Sequence, residues 1–187
     1  MSLNPTPQDS STETPESPKF NLTPREARAK WREALRSDQY KQTKGTLARK
    51  LVTKTEEGET TDVAYCCLGL ATLLFGQLEP EHNMKLVDTA HGMAFCDDNS
   101  DRYQHCTSLP AIVRKWLGLE GAFGSCSYDV SAPYLQNTAY LVPGVGQDGK
   151  KYTSLSSLND GAQYTFKEIA DFLEKSEELD NGLIVVK

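Results

Sequence analysis

The chain has no apolar run near the roughly 20 residues that a membrane-spanning helix requires, and its first residues lack a basic-then-apolar leader pattern. A soluble, intracellular protein without a membrane partner is therefore expected. An excess of positive charge is missing too. The 20 Lys and Arg stand against 26 Asp and Glu, a formal net charge of -6, so no general nucleic-acid binding is expected, because it would ask for a basic face. Hydrophobic residues make up only 38%, below the usual share for a packed domain, so part of the chain should stay outside the core. There are only three histidines, no two of them one helical turn apart, and the five cysteines show no close zinc-knuckle spacing. No metal and no cofactor are expected, and an odd, irregular cysteine set fits reduced thiols better than a disulfide framework.

What is present suffices for one domain. A length of 187 residues can bury a core. Residues 1 to about 22 are rich in Pro, Ser, Thr, Asn and Glu, with Leu3, Phe20 and Leu22 their only sizeable apolar side chains. Such a stretch buries too little to offset its ordering entropy, so a disordered N-terminal arm is expected. Residues 23–187 should form a single globular domain.

The longest apolar run, Val63 to Gly76, predicts a buried central helix, with Asp62 as its cap and Gly76 as its stop. Before it, Thr23-Pro24-Arg25-Glu26 is a capping box. The helix that follows places Ala27, Trp31, Ala34 and Leu35 on one stripe and leaves Arg25, Arg28, Lys30, Arg32 and Glu33 to water. The segment from Gln39 to Leu47 is too polar for a core helix, and residues 55–61 read as an acidic loop. The stretch from Gln77 to Thr107 holds all three histidines without periodicity and reads as an irregular insertion.

Further on, Ser108 to Gly118 predicts a third helix with Leu109, Ile112, Val113 and Trp116 buried. Thr138–Val142 and Lys151–Thr153 read as a β-hairpin. Ser154 should cap a short turn carrying Leu155 and Leu158, followed by an Asn159-Asp160-Gly161 polar turn. Thr165 and Glu168 then frame a second capping box for a helix lined by Phe166, Ile169, Ala170 and Leu173. Leu183 to Val186 reads as a closing strand. The fold class that results is α+β: a buried central helix, three or more amphipathic helices and a short antiparallel sheet or hairpin.

Two functional constellations stand out. Lys41, Lys44, Arg49, Lys50 and Lys54 cluster beside Tyr40, which suggests a binding surface built from Tyr40, Lys41, Gln42, Lys44, Asn159 and Asp160, facing a small ligand or a protein. If the protein were an enzyme, Cys66 or Cys67 near a helix start would be the nucleophile, a distant His its base, and Asn159 or Asp160 the group that orients the base. Against this, a cysteine in an apolar helix is more often a small buried hydrophobe, and burial raises its pKa. Asn159 and Asp160 can equally be explained by local bonding in a tight turn.

The ordered blocks Trp31-x-x-Ala34-Leu35-Arg36-Ser37, Tyr65-Cys66-Cys67-Leu68-Gly69, Leu109-Pro110 with Trp116-Leu117-Gly118, and Leu158-Asn159-Asp160 with Thr165-Phe166-x-x-Ile169-Ala170 resemble a group of small uncharacterised proteins of bacteriophages and prophages. The resemblance implies a phage-type origin and no particular activity. Its expected settings are the host cytoplasm, for an accessory protein that acts by binding, or the virion, for a structural component whose arm docks on a neighbour. A homo-oligomer fits either. The chain departs from the group's pattern in its N-terminal arm and in residues 77–107.

Overall fold

The organising helix starts later than the apolar run that announces it. In the computed structural model, which describes residues 18–90, 92–97, 105–119, 122 and 154–179, the helices among those residues are α1 (Pro24–Arg36), α2 (Cys67–Leu78), α3 (Ala111–Leu117), α4 (Leu155–Asp160) and α5 (Phe166–Leu179). The strands are β1 (Lys41–Gln42), β2 (Ala48–Thr55), β3 (Gly58–Tyr65), β4 (Lys85–Thr89) and β5 (Gly92–Cys96). This is an α+β fold with a three-stranded sheet, ordered β1-β3-β2, and a separate β4-β5 hairpin.

Val63 to Tyr65 end a strand, and Cys66 takes the extended cap position, its Sγ accepting from the Gly69 N–H at 3.4 Å. The expected Asp62 cap is thereby corrected. A continuous apolar run carries no period to separate strand from helix, and the β-branched Val63 and aromatic Tyr65 favour the strand. Gly76 lies inside the helix rather than ending it. Both α2 glycines mark close approach: a Cβ on Gly69 would overlap the Leu47 carbonyl, and one on Gly76 the Met84 carbonyl. Cys67, Leu68, Leu70, Ala71 and Phe75 of α2 are fully buried, and the helix packs on α1, α3, α4, β3 and β4. Each of its large side chains contributes on the order of 1.5–3 kcal/mol through burial.

Helix α1 keeps the expected capping box between Thr23 and Glu26 and buries Ala27, Trp31 and Leu35. Arg28, expected in water, is buried instead: its Nη1 donates to the Leu117 carbonyl at 2.7 Å, satisfying the end of α3. α3 stops at Gly118 in the left-handed region, as expected, but its cap position is Pro110 without a side-chain bond, not Ser108. α4 has its Ser154 cap and continues through Asn159 and Asp160, which are helical rather than a free turn. α5 opens on the Thr165–Glu168 capping box and packs along α1, where Arg36 binds Asp171 at 2.7 Å and Glu174 at 2.5 Å.

The polar stretches hold more structure than their composition suggested. Residues 48–65 form one regular hairpin, so the acidic loop expected at 55–61 is mostly strand, turning only at Glu56 and Glu57. Within the expected irregular insertion, Lys85–Cys96 is likewise a hairpin, bridged through Phe95 to His105. The arm expected to end at residue 22 packs from Phe20 onward: Phe20 stands edge-on to Phe75 at 6.2 Å and to His82 at 5.5 Å. Two aromatic contacts and a buried acid at the end of α2 hold this segment. Residues 1–17, the hairpin expected at 138–153 and the strand expected at 183–186 lie outside the described residues.

Candidate functional site

The start of α2, the β1 strand and the end of α4 meet where both constellations pointed. Gln42 extends from β1, held beside Tyr65 by parallel pairing. Its Nε2 donates to Asn159 Oδ1 at 2.8 Å and to the Tyr164 carbonyl at 2.7 Å, while its Oε1 accepts from the Phe166 N–H at 3.1 Å. Asn159 is fully buried. Its Oδ1 also accepts from the Cys67 N–H at 3.3 Å, and its Nδ2 donates to the Thr43 carbonyl at 2.9 Å and to Asp160 Oδ1 at 2.7 Å. One side chain thus bonds the first turn of α2, the exit of β1 and its own helix. The free N–H groups that make a helix N-terminus an anion site are closed here from inside the protein.

Both thiols are sealed in the same junction. Cys67 is fully buried and its Sγ donates to the Leu155 carbonyl at 3.5 Å. Burial pushes the Cys66 thiol up to about 11, although backbone N–H groups at the helix start oppose the shift. Cys67 is raised well above the ordinary thiol value, first by burial and then by its neighbour Cys66 and by Asp160. Desolvation outweighs the helix terminus, so both are neutral thiols at physiological pH. Among the described residues no imidazole bonds either sulfur. His82 lies beyond the far end of α2, stacked on Phe75 at 5.4 Å, and His105 pairs its backbone with Phe95 and has Asp97 as its charged neighbour.

Of the residues proposed for a binding surface, the structure joins Gln42, Asn159 and Asp160 and leaves the others outside the junction. Tyr40 is half-buried, edge-on to Tyr65 at 6.2 Å. Lys41 is exposed and pairs with Asp62 on β3. Lys44 is exposed, and its carbonyl accepts from Arg49 Nη2 at 3.4 Å. The surface therefore divides into a sealed inner half and a wet outer half that continues into β2 at Arg49, while Lys50, paired with Asp88, and Lys54 stand on the other face of the hairpin.

Sequence reasoning missed the buried carboxylate. Glu79 is fully buried after the last turn of α2. Its Oε1 accepts from Trp116 Nε1 at 2.9 Å and from the Leu22 N–H at 3.1 Å, and its Oε2 from the Asn21 N–H at 2.8 Å. Three donors offset the desolvation of the acid. Glu81 and His82 lie close enough to offer ligand atoms within 4.8 Å of Glu79 and of each other. Those atoms are used by the chain itself: Asn21 Nδ2 donates to Glu81 at 3.0 Å, and His82 Nε2 meets the Lys19 carbonyl at 3.2 Å. The cluster anchors residues 19–22. A usable signal existed in the stripe Leu68, Thr72, Phe75, Glu79, spaced i, i+4, i+7 and i+11, which carries the buried face of α2 onto the acid.

The chain belongs to the family described as Domain of unknown function (DUF8296), whose model matches residues 24–177. No curated protein and no solved structure matches it. Among the described residues no helix is long and apolar enough to cross a membrane.

Proposed function

We propose that this protein is a non-enzymatic binding protein of phage type, an accessory factor that meets a protein partner through the wet outer half of the surface described above. The observation that carries the reading is the closure of the junction: the thiols, Gln42 and Asn159 all bond to the protein's own groups, and burial keeps both cysteines protonated. A cysteine-dependent hydrolase or transferase needs a thiolate beside a base, and here the sulfurs face a backbone carbonyl and a backbone N–H. What remains available to a partner is the row of exposed Lys41, Lys44 and Arg49 with the half-buried Tyr40 at its root, Lys50 and Lys54 standing on the other face of the hairpin. Such a row suits an acidic protein surface, where charge sets encounter rate and specificity more than affinity. The phage-type origin rests on the ordered sequence blocks, and the host cytoplasm is the matching setting.

Two measurements test this. In the folded protein, Cys66 and Cys67 should alkylate far more slowly than a free thiol at neutral pH, and rapid low-pH labelling of one of them would return the thiol-enzyme reading. Crosslinking in host lysate, read by mass spectrometry, should capture a partner with the wild type and lose it in a Lys44→Glu, Arg49→Glu variant of unchanged melting temperature. Stoichiometric recovery with purified particles would instead make the protein a virion component.

A further inference from the structure

The loop that joins β1 to β2 keeps backbone donors that the protein does not use. At one end Thr43 still belongs to the ladder, its N–H donating to the Tyr65 carbonyl at 2.8 Å, and at the other the Leu47 N–H donates to the Cys106 carbonyl at 2.6 Å. Between them, among the described residues, the N–H groups of Lys44, Gly45 and Thr46 meet no acceptor. Gly45 holds φ at +76°, and a Cβ built there would find nothing within 4 Å. A left-handed residue inside a turn is the conformation that gathers successive N–H groups into an anion-binding concavity. Here the space beside it is open.

The side chains around the loop carry charge that no acid answers. Lys44 and Arg49 are exposed, and Arg49 Nη2 donates to the Lys44 carbonyl at 3.4 Å, which sets its guanidinium on the loop. Lys41 is held by Asp62 and Lys50 by Asp88, but among the described residues no carboxylate pairs with Lys44 or Arg49. Acids are not scarce, since 26 Asp and Glu stand against 20 Lys and Arg. Thr43 lies on the face of Lys41 and Arg49 by strand alternation. It is only 8% exposed, yet among the described residues its hydroxyl makes no hydrogen bond. An unpartnered hydroxyl on a buried side chain is an exception that calls for a reason.

We infer that this loop receives a phosphate monoester carried by a side chain of the protein partner, which rests on the binding reading above and names the group that reading leaves open. The donor set favours phosphate over carboxylate. A phosphorylated side chain brings a charge of about −1.5 to −2 and three strong acceptor oxygens. They meet two cations, three backbone N–H groups and one hydroxyl. A carboxylate, with a single charge and two oxygens, leaves several of those donors over. Arg49 adds the planar fork that binds two phosphate oxygens at once. Because Lys44 and Gly45 are exposed and Thr46 only half-buried, a free small molecule would keep most of its surface in water, unlike the ligand of a closed pocket. A protein that carries the phosphate adds contacts along β1 and the start of β2.

Titration of N-acetyl-phosphoserine N-methylamide into the isotope-labelled full chain, read by the NMR signals of its backbone amides, tests the site. The signals of Lys44, Gly45 and Thr46 should move and saturate, and N-acetyl-aspartate N-methylamide at equal concentration should move them less. In a Lys44→Gln, Arg49→Gln variant, which keeps the loop amides, the midpoint should rise by about tenfold or more, as expected when two charged hydrogen-bonding groups are lost. No saturable movement at residues 44–46, equal movement with the aspartate compound, or an unchanged midpoint in the variant overturns the inference. Phosphatase treatment of the host lysate before crosslinking separates the phosphate from the binding reading beneath it, and the captured partner should be lost. A partner captured equally well from treated lysate keeps the binding reading and overturns the phosphate. Capture of no partner from untreated lysate overturns both.

Discussion

The junction at the start of α2 and the β2–β3 hairpin use their polar side chains in opposite ways. In the junction Gln42 and Asn159 bond only to protein, joining β1, α2, α4 and the approach to α5. On the hairpin every residue from Val52 to Asp62 is exposed. Residues that look catalytic in a sequence, a cysteine pair and an Asn-Asp step, went into holding elements together. The Thr and Lys of the hairpin stay at the surface, where their partners are side chains and carbonyls of the hairpin itself or, for Lys50, Asp88 of β4. A buried polar group must be satisfied wherever it sits, so chemical character alone does not mark a site.

If that contrast holds, substitutions should divide by region. The largest effect is expected at Trp31, fully buried and donating from Nε1 to the Cys67 carbonyl at 3.0 Å. Trp31→Ala should cost about 3–5 kcal/mol in chemical denaturation through lost burial and the cavity left behind. Near-native stability would mean that the junction is not part of the core.

Asn159→Ala should follow at about 2–4 kcal/mol, since it strands the Cys67 N–H, the Thr43 carbonyl and one donor of Gln42 together. A Gln42→Ala, Asn159→Ala double variant should lose less than the sum, because the two share a bond. Additive losses would break the picture of one network.

Alkaline pH sharpens the comparison at the thiols. Burial raises Cys66 to about 11 and Cys67 upward from an ordinary value of 9.0. The folded state therefore binds these protons more tightly than the unfolded one. The stability that Cys66 contributes is fully present below about pH 9 and is lost as pH rises through 11. A loss on the order of 2–3 kcal/mol across that window is expected for Cys66. It should be absent in Cys66→Ala measured against its own neutral-pH stability, while Cys67 still titrates.

The smallest effect belongs to the hairpin. Lys54→Ala and Thr53→Ala should each stay within about 0.5 kcal/mol of wild type in thermal or chemical melts. A larger loss would show that the hairpin packs on something in the isolated chain.

Capping boxes at Thr23 and Thr165, the Ser154 cap, the Gly118 stop and the buried stripes of α1, α3 and α5 were legible in the sequence because each is written within one turn of chain. The helical part of the α+β class followed from those elements, whereas the strands expected at 138–153 and 183–186 lie outside the described residues and those observed fall in polar stretches. Tertiary structure alone decided where the Val63–Gly76 run changes from strand to helix, since an apolar run without a period fits both until β2 pairs with it. It also decided that the polar residues 48–62 form strands: their ladder comes from a partner strand rather than from their own burial. Likewise Phe20 to Leu22 become ordered only because Glu79 and Phe75, more than 50 positions away, provide two acceptors and a ring. Whether a cysteine, an asparagine or a glutamate faces water depends on which distant elements arrive around it, and no local pattern carries that.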